Sequence, residues 1–397
     1  MRIEYLEIHN YKSLQNVKLT NVPGMAVFVG RNGVGKSTLF DVFGFLNDAL
    51  VSDVKMAFQR RGGFKQVISR SQDGDISFVI KFRPNKDEPL ITYELSIGLN
   101  DKSLPVVKTE ILKFRRGSKG QPWRVLEFHE GKGFAAEGEL TEYADAKEAE
   151  RTQRTLNSPH ILAVKALGNM TDFIAVSKFC RLIEDWFVSD FHIDDARATN
   201  KVELAQHISR TGDNLASVAQ YMYENYRDRF DRVLERMKER VPGVTDVTAK
   251  SDEDGRILLR FQDGNFKDPF ASTCVSDGTI KMFTYLLLLS DPDRHALLCI
   301  EEPENQLFPK LLSGLVEEFR QYSIGDDDNN YGQVFISTHS PDLLDAVHLD
   351  ELYCLVKGTD SYTTIRRVAD DPQVKAFVRG GDLLGYLWSH DMLIEGV

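Results

Sequence analysis

The chain has 397 residues, 42% hydrophobic and 27% charged, with a formal net charge of −11, an ordinary globular composition with length enough for two lobes or one domain with an insertion. No apolar run approaches the ~20 residues of a membrane helix, Met1-Arg2-Ile3-Glu4 opens straight into a strand pattern with no signal peptide, and the four cysteines show no CxxC spacing, so the expected setting is a reducing cytoplasm with no membrane partner. The acidic balance excludes a protein whose whole surface coats nucleic acid, because phosphate contacts need clustered Lys and Arg.

Residues 2–8 alternate with the two-residue period of a half-buried strand. Asn10-Tyr11-Lys12-Ser13-Leu14 breaks that pattern with turn chemistry, and Val17-Lys18-Leu19 resumes it. Met25 to Val29 is a short apolar run that reads as a buried strand. Gly30-Arg31-Asn32-Gly33-Val34-Gly35-Lys36-Ser37-Thr38 then matches GxxxxGK[ST] in full, and Leu39 to Leu46 carries apolar residues at helical spacing. Strand, glycine loop and helix form the context in which backbone N–H groups and a helix N-terminus wrap a phosphate chain. The binding set is Asn32, Gly33, Gly35, Lys36, Ser37 and Thr38. Lys36 reaches the β and γ oxygens and Ser37 holds Mg²⁺, so ATP and Mg²⁺ are the expected cofactors. Lys55, Arg60, Arg61, Lys65 and Arg70 follow the P-loop helix, with Arg115, Arg116 and Lys119 further on. Each alone reads more simply as a solvated face beside acids than as a basic patch.

Ile76 to Phe82 and Ile91 to Ile97 alternate about Pro84-Asn85-Lys86-Asp87-Glu88 and predict a hairpin. Asn85 to Glu88 superficially resembles the guanine-reading NKxD, but its fourth residue is Glu and it sits in a hairpin turn soon after the P-loop. Val106 to Phe114 and Trp123 to Phe128 read as further strands of that layer. Residues 139–157 are charged and Ala-rich and predict an exposed helix; a helix is also expected around Ala175 to Trp186, and a polar loop over Asp194 to Thr211. Leu215 to Arg240 is an amphipathic helical region whose polar face alternates Arg, Asp and Glu, which supports the helix better than it suits nucleic acid. Pro242-Gly243 stops it, and Val244 to Ala249 with Arg256 to Phe261 predict a hairpin.

The second chemical motif is Ala296 to Glu304, a buried strand delivering Glu301 and Glu302 at its C-terminal end, followed by Pro303. There an α/β sheet keeps its chemistry. Glu301 is placed for the Mg²⁺ shell and Glu302 to orient and deprotonate an attacking water. Gln333 to Thr338 is another apolar strand, ending at His339-Ser340-Pro341. His339 can hydrogen-bond a γ-phosphate or the water. Between these motifs, Ser276-Asp277-Gly278 opens the apolar helix Ile280 to Leu289; by itself this is a plain N-cap.

The ordered set of P-loop, Ser-x-Gly helix, carboxylate pair and His resembles the ATP-binding-cassette ATPases, specifically the soluble RecF/SMC/OLD-like, AAA15-type branch. Asn10 to Leu14 is similar to that branch's opening NYKSL, Ile300 to Pro309 to its Walker B and D-loop, and Ser337 to Pro341 to its switch-His segment. The resemblance implies an α/β fold: an ABC-ATPase head, a mixed sheet with the P-loop helix plus an antiparallel β layer, and a helical insertion. The corresponding domains are residues 1–138, 139–243 and 244–397. It implies an ATP-sandwiched homodimer in which Ser276 and Gly278 contact the γ-phosphate in trans, with Glu304-Asn305 as D-loop. Asp277 and Thr279 depart from the LSGGQ of transporters, Glu301 replaces the usual Walker B Asp, and Gln59, Gln66 and Gln72 are all candidates for the Q-loop.

Three functions compete. The first is an ATPase switch of an antiphage system gating a separate, nuclease- or Toprim-like effector. The second is a RecF-like repair ATPase that clamps DNA directly. The third, a transporter subunit, fits least, because residues 139–263 replace the compact helical subdomain that couples to membrane partners. Met392 to Gly396 looks like the first strand of a Toprim domain but reads more simply as a polar C-terminal tail; the carboxylates of a two-metal site do not follow it, so either way any effector is expected in trans. The helical insertion, or the apolar cluster Leu383, Leu384, Tyr386, Leu387 and Trp388, is the expected docking surface.

Overall fold

The computed structural model describes residues 2–85, 88–114, 123–137, 151–197, 205–251, 256–325 and 332–394. They fall into two compact units, Met1–Trp186 with Asp350–Pro372, and Phe187–Leu349 with Gln373–Val397.

The first unit begins with β1 (Arg2–Tyr11), β2 (Leu14–Thr20) and the P-loop strand β3 (Met25–Val29), followed by α1 (Lys36–Val51), α2 (Val54–Gln59) and α3 (Phe64–Val67). Then come β4 (Ile76–Arg83), β5 (Ile91–Leu99), β6 (Pro105–Phe114), β7 (Trp123–His129), β8 (Lys132–Ala136) and β9 (Arg151–Thr155), and the helices α4 (Ala163–Gly168) and α5 (Ile174–Glu184). Eight of these strands form one antiparallel sheet in the order β2-β1-β4-β5-β6-β7-β8-β9. In β4 the residues Ile76, Phe78, Ile80 and Phe82 are buried and their neighbours partly exposed, the alternation of a sheet with one covered face. Its expected partner β5 pairs in register from Ile76↔Ile97 to Phe82↔Ile91.

β3 is buried at all five positions, as its uninterrupted apolar sequence requires of a strand covered on both faces. The short β10 (Trp186–Val188) closes the first long segment of chain. α1 is buried along most of its length and joins the antiparallel layer through aromatic rings. Phe45 lies 5.6 Å from Tyr11, 4.9 Å from Phe58 and 5.9 Å from Phe78, centroid to centroid, separations at which such pairs add to plain area burial.

Two expectations fail here. Residues 151–155 are strand β9, paired with β8, where a helix over 139–157 was expected; the Ala- and Glu-rich part of that stretch, 139–150, lies outside the described residues. Thr152 and Thr155 stand among longer polar side chains, a composition that suits a sheet edge. β8 itself is unforeseen. It returns through the two-residue turn Glu130-Gly131, at φ 46° and 80°, with His129 opposite Lys132. A turn with both central residues at positive φ matches the strands' own twist.

The second unit holds α6 (Ile193–Arg197), α7 (Leu215–Asn225), α8 (Arg227–Arg240), β11 (Val244–Ser251), β12 (Ile257–Asp263), β13 (Phe270–Ala271) and α9 (Asp277–Leu289). It continues with β14 (Leu297–Glu301), α10 (Pro309–Ile324), β15 (Gln333–Thr338) and α11 (Pro341–Leu344). The chain then crosses β16 (Leu352–Lys357) and β17 (Thr363–Arg367), which belong to the first unit, and ends with α12 (Pro372–Gly380) and α13 (Leu384–Ser389). β16 runs parallel to β3 and antiparallel to β17. β14 and β15 are parallel, with Glu301 opposite Ser337. The expected hairpin is β11 and β12, and Phe261 and Phe230 each set a ring edge-on to Phe283 of α9.

The helical region 215–240 is broken at Tyr226, whose φ of −136° and ψ of 53° leave the helical well. Part of the expected loop over 194–211 is the short helix α6, and residues 198–204 lie outside the described chain. Met392 to Ile394 forms turns, with the Met392 N–H on the Leu387 carbonyl, so the Toprim-like strand, the lesser of its two readings, is not formed there. Glu395 and Gly396 lie outside the described residues.

Candidate functional site

In the first unit the P-loop is shaped by glycines where side chains would collide. A Cβ at Gly30 would sit 2.9 Å from the Leu355 carbonyl oxygen. Gly35 has φ 105°, and a Cβ there would meet the hydroxyls of Thr363 at 2.6 Å and Ser13 at 2.7 Å. Those hydroxyls are part of the site's frame. Thr363 Oγ1 donates to the Val34 carbonyl at 2.6 Å, lies 2.9 Å from Ser13 Oγ, and the Thr363 N–H donates to the Ser13 carbonyl. The NYKSL segment therefore reaches the P-loop through Ser13 and β17.

Its other polar residues brace the far side of α1. Tyr11 OH and Lys12 Nζ both donate to Asp41 Oδ2, at 2.7 and 2.6 Å, and Arg61 Nε donates to Asp41 Oδ1 at 2.7 Å. Arg60 and Arg61 also pair with Asp48. Two residues of the basic cluster after the P-loop, Arg60 and Arg61, are thus spent on intramolecular ion pairs; Arg115, Arg116 and Lys119 lie outside the described residues.

Lys36 is buried at the N-terminus of α1 and donates to the Gly30 carbonyl at 2.7 Å. Asn32, Gly33 and Ser37 are exposed, with Gly33 at φ 78° and nothing within 4 Å of where its Cβ would be. Gly35 and Thr38 are partly covered. The exposed loop with a buried ammonium folded beneath it fits a phosphate chain laid across its N–H groups.

The second unit gathers the acidic and imidazole groups. Glu302 has φ 43°, a left-handed conformation that costs ~1–2 kcal/mol for a residue with a Cβ. Its N–H donates to the Ser337 carbonyl at 2.9 Å, which pins it to the end of β15. Glu302 Oε2 accepts from Asn305 Nδ2 at 3.1 Å, and Oε1 lies 3.3 Å from His339 Nδ1. Glu304, read only as part of the D-loop, is a second anchor. Its Oε1 accepts from Thr338 Oγ1 at 2.6 Å and the His339 N–H at 3.2 Å, and lies 3.8 Å from His339 Nδ1. With carboxylate oxygens beside Nδ1, the proton of a neutral His339 belongs on that nitrogen, leaving Nε2 to act as acceptor. Trp388 Nε1 on α13 donates to the His339 carbonyl at 3.0 Å.

Ser276 is the N-cap of α9, its Oγ accepting from the Thr279 N–H at 3.3 Å, so the plain capping role is present. Ser276 is exposed and Gly278 packs 3.0 Å, as a built Cβ, from the Gln306 carbonyl oxygen. One turn on, Lys281 donates to the Asn305 carbonyl at 2.7 Å. Burial pulls its ammonium down to about 8, opposed by the nearby charges of Glu304 and Glu302. Arg197 of α6 donates to the carbonyls of Thr273 and Val275 and pairs with Asp277.

Lys281, Arg197 and Thr363 were not found from sequence, and Trp388 was named only in the apolar docking cluster. A lysine inside the otherwise apolar run Ile280 to Leu289 was the one available sign.

Ser37 in the first unit offers a hydroxyl and Glu301 in the second a carboxylate, each a hard oxygen donor of the kind that Mg²⁺ takes. Glu301 stands half-buried at the end of β14. Of the three Q-loop candidates, Gln72 donates to Tyr362 OH at 3.4 Å, Gln66 accepts from Arg70, and Gln59 is exposed at the end of α2.

A family model described as "AAA ATPase domain" matches residues 1–169, and one described as "AAA domain, putative AbiEii toxin, Type IV TA system" matches residues 172–345. Among solved structures, the Smc head domain with an extended coiled coil bound to the C-terminal domain of ScpA, derived from Pyrococcus furiosus, aligns with a TM-score of 0.52 at 11% identity, covering 95% of this chain and 99% of that one. An SmcHead bound to the C-winged helix domain of ScpA aligns with a TM-score of 0.51 at 12% identity, covering 92% and 98%. At such identities the likeness speaks for the fold.

Proposed function

We propose that the chain is an ATP-driven switch of the ABC-type, RecF/SMC-like P-loop ATPases that dimerises on ATP and gates a separate effector; the two AAA-domain matches and the fold shared with Smc heads support the ATPase part of this reading. The observation that carries the reading is the Glu302–His339–Glu304–Asn305 cluster, in which a carboxylate at a strand end is held by a backbone bond, an amide and an imidazole. A group so constrained suits orienting one water for in-line attack, since phosphoryl transfer rests on positioning and electrostatics.

In this reading Lys36 and the N–H groups of Asn32, Gly33, Gly35 and Thr38 hold the β and γ phosphates. Ser37 and Glu301 hold Mg²⁺, which, when bound, draws charge from the phosphate oxygens. Glu302 takes the water's proton and His339 senses the γ-phosphate. Ser276 and Gly278 serve the nucleotide of a second copy.

The description of the second family model, a putative AbiEii toxin of a type IV toxin–antitoxin system, favours a defensive output with a nuclease- or Toprim-like effector over direct clamping of DNA. The ion pairs of Arg60 and Arg61 with Asp48, and of Arg61 with Asp41, point the same way, since those arginines are already engaged.

Glu302→Gln tests the proposal. It should retain ATP, lower turnover by roughly 10²–10⁴-fold as loss of a general base does, and shift the protein to a dimer by light scattering. Turnover at the natural rate with no ATP-dependent dimer would overturn it.

A further inference from the structure

Apart from the nucleotide motifs, the second unit contains a cleft of about 680 Å³ whose lining includes four arginines, Arg229, Arg232, Arg236 and Arg294, against one glutamate, Glu318. Three of the arginines come from α8, three and four residues apart, which places them on one helix face over about 10 Å of rise. The polar face of α8 is therefore of two kinds. Arg227 closes an ordinary pair with Asp231 one turn on, whereas Arg229, Arg232 and Arg236 turn into the cleft.

The guanidiniums on α8 are set in place without being consumed. Glu318, its side chain only 8% exposed, lies 3.1 Å from Arg236 Nη1 and 3.3 Å from Arg240 Nη2. Arg229 Nη1 donates to the Asp291 carbonyl at 3.3 Å. Arg294 lies 4.9 Å over the centroid of Tyr322, whose hydroxyl is held by the His295 carbonyl. Arg232 has no hydrogen-bond or ion-pair partner among the described residues and is exposed. Each guanidinium carries five N–H donors in a planar fork, so Arg229, Arg232 and Arg236 keep donors for a ligand.

Four like charges around one cleft repel one another, and the one carboxylate of the described lining, Glu318, is shared by Arg236 and Arg240. The sequence does carry Asp326, Asp327 and Asp328 directly after Gly325 of the lining.

We propose that this cleft is a second anion site, distinct from the P-loop, that takes the polyphosphate chain of a small soluble ligand. The fork geometry matches phosphate oxygens. The volume lies in the range of about 300–1,000 Å³ typical of small-molecule sites. A strand of nucleic acid fits less well, because such sites offer aromatic faces on which bases stack. Here the one aromatic ring, Tyr322, is 2% exposed and covered by Arg294.

The test uses the full chain carrying Lys36→Ala, so that the P-loop does not compete, with inorganic tripolyphosphate as probe and calorimetry as readout. One saturable site is expected at physiological salt, weakened about tenfold or more by Arg232→Glu and by Arg229→Ala with Arg232→Ala, and orthophosphate should bind far more weakly. Arg232 is exposed and has no partner among the described residues, so its replacement should not disturb folding. In the chain with Lys36 intact, Arg232→Glu should leave ATP turnover without tripolyphosphate unchanged. Absence of saturable binding, or affinity within twofold of the parent in Arg232→Glu, would overturn the assignment. Tighter binding of a single-stranded oligonucleotide, lost on the same substitution, would overturn it too and give the cleft to nucleic acid.

Discussion

Glu110 is a buried carboxylate far from any motif, and it predicts a measurable dependence of stability on pH. It sits on β6 with no exposed surface. Its Oε2 accepts from the Ala163 N–H at 2.5 Å, and Oε1 accepts from the Val164 N–H at 3.1 Å and Tyr93 OH at 2.9 Å. These are the first amides of α4, whose N-cap residue Leu162 has no capping side chain, so Glu110 caps the helix from another strand.

Burial pushes its carboxyl up from 4.5 to about 7, against the three hydrogen bonds that favour the charged form. A folded-state value above the unfolded one means that the native protein holds this proton more tightly. The stabilisation is complete below about pH 4.5 and lost as pH rises through about 7, and its size is about 3 kcal/mol. Neighbouring Cys180, pushed up to about 12, and Tyr93, raised by burial, stay neutral across that window.

Glu110→Gln keeps the volume and one acceptor, removes the titration, and sets its own NH₂ against a backbone N–H at a cost of ~1–2 kcal/mol. Amide exchange at residues 163–167, divided by the intrinsic rate at each pH, reads the local opening energy. The advantage of the natural protein over the variant should fall by up to about 3 kcal/mol between pH 5 and pH 8. A difference constant to within about 0.5 kcal/mol across that range would refute the linkage.

Other outcomes concern the site itself. Lys36→Ala should abolish tight ATP binding, measured by calorimetry, because it removes the buried ammonium held on the Gly30 carbonyl beneath the loop. Lys281→Met, which keeps the stem and removes the bond to Asn305, should lower ATP turnover about tenfold at saturating ATP and abolish a decline in rate above about pH 8; an unchanged profile would show that the ammonium is not needed. Ser276→Arg should spare nucleotide binding by the monomer and block the ATP-dependent dimer, and mixing it with Lys36→Ala protein should restore part of the activity. Failure of rescue in demonstrated mixed dimers would count against action in trans.

What the sequence made legible was chemistry with a fixed address. The apolar run of β3 with a glycine loop, the apolar run of β14 ending in Glu301-Glu302, and that of β15 ending at His339 are each a strand followed by functional groups, and strand periodicity with turn residues locates them. The hairpin of β4 and β5 was legible for the same reason. The return of β8 was not, because Glu130-Gly131 has only one glycine and depends on a glutamate accepting φ 46°. β9 was hidden because its charged residues carry no apolar alternation to read, and an edge strand needs little.

The positioning contacts failed to show for a deeper reason. Thr363 holds the Val34 carbonyl, Lys281 the Asn305 carbonyl, Trp388 the His339 carbonyl, and Ser337 offers its carbonyl to Glu302. In every case one partner is a backbone group that all residues possess, so no residue type at the receiving position marks the bond. Only the donor side chain could betray it, and a threonine in a strand or a tryptophan near a chain end has many other reasons to be there. The consequence for function is specific. His339 is gripped on its carbonyl side by α13, a helix whose neighbouring residues Leu383 and Tyr386 are 56% and 51% exposed. A change in α13 would reach the imidazole through one hydrogen bond. Trp388→Phe, which keeps the ring and deletes the donor, should therefore alter ATP turnover while leaving nucleotide affinity intact; a loss of affinity with turnover per bound ATP unchanged would mean that α13 supports the fold and has no hold on the switch.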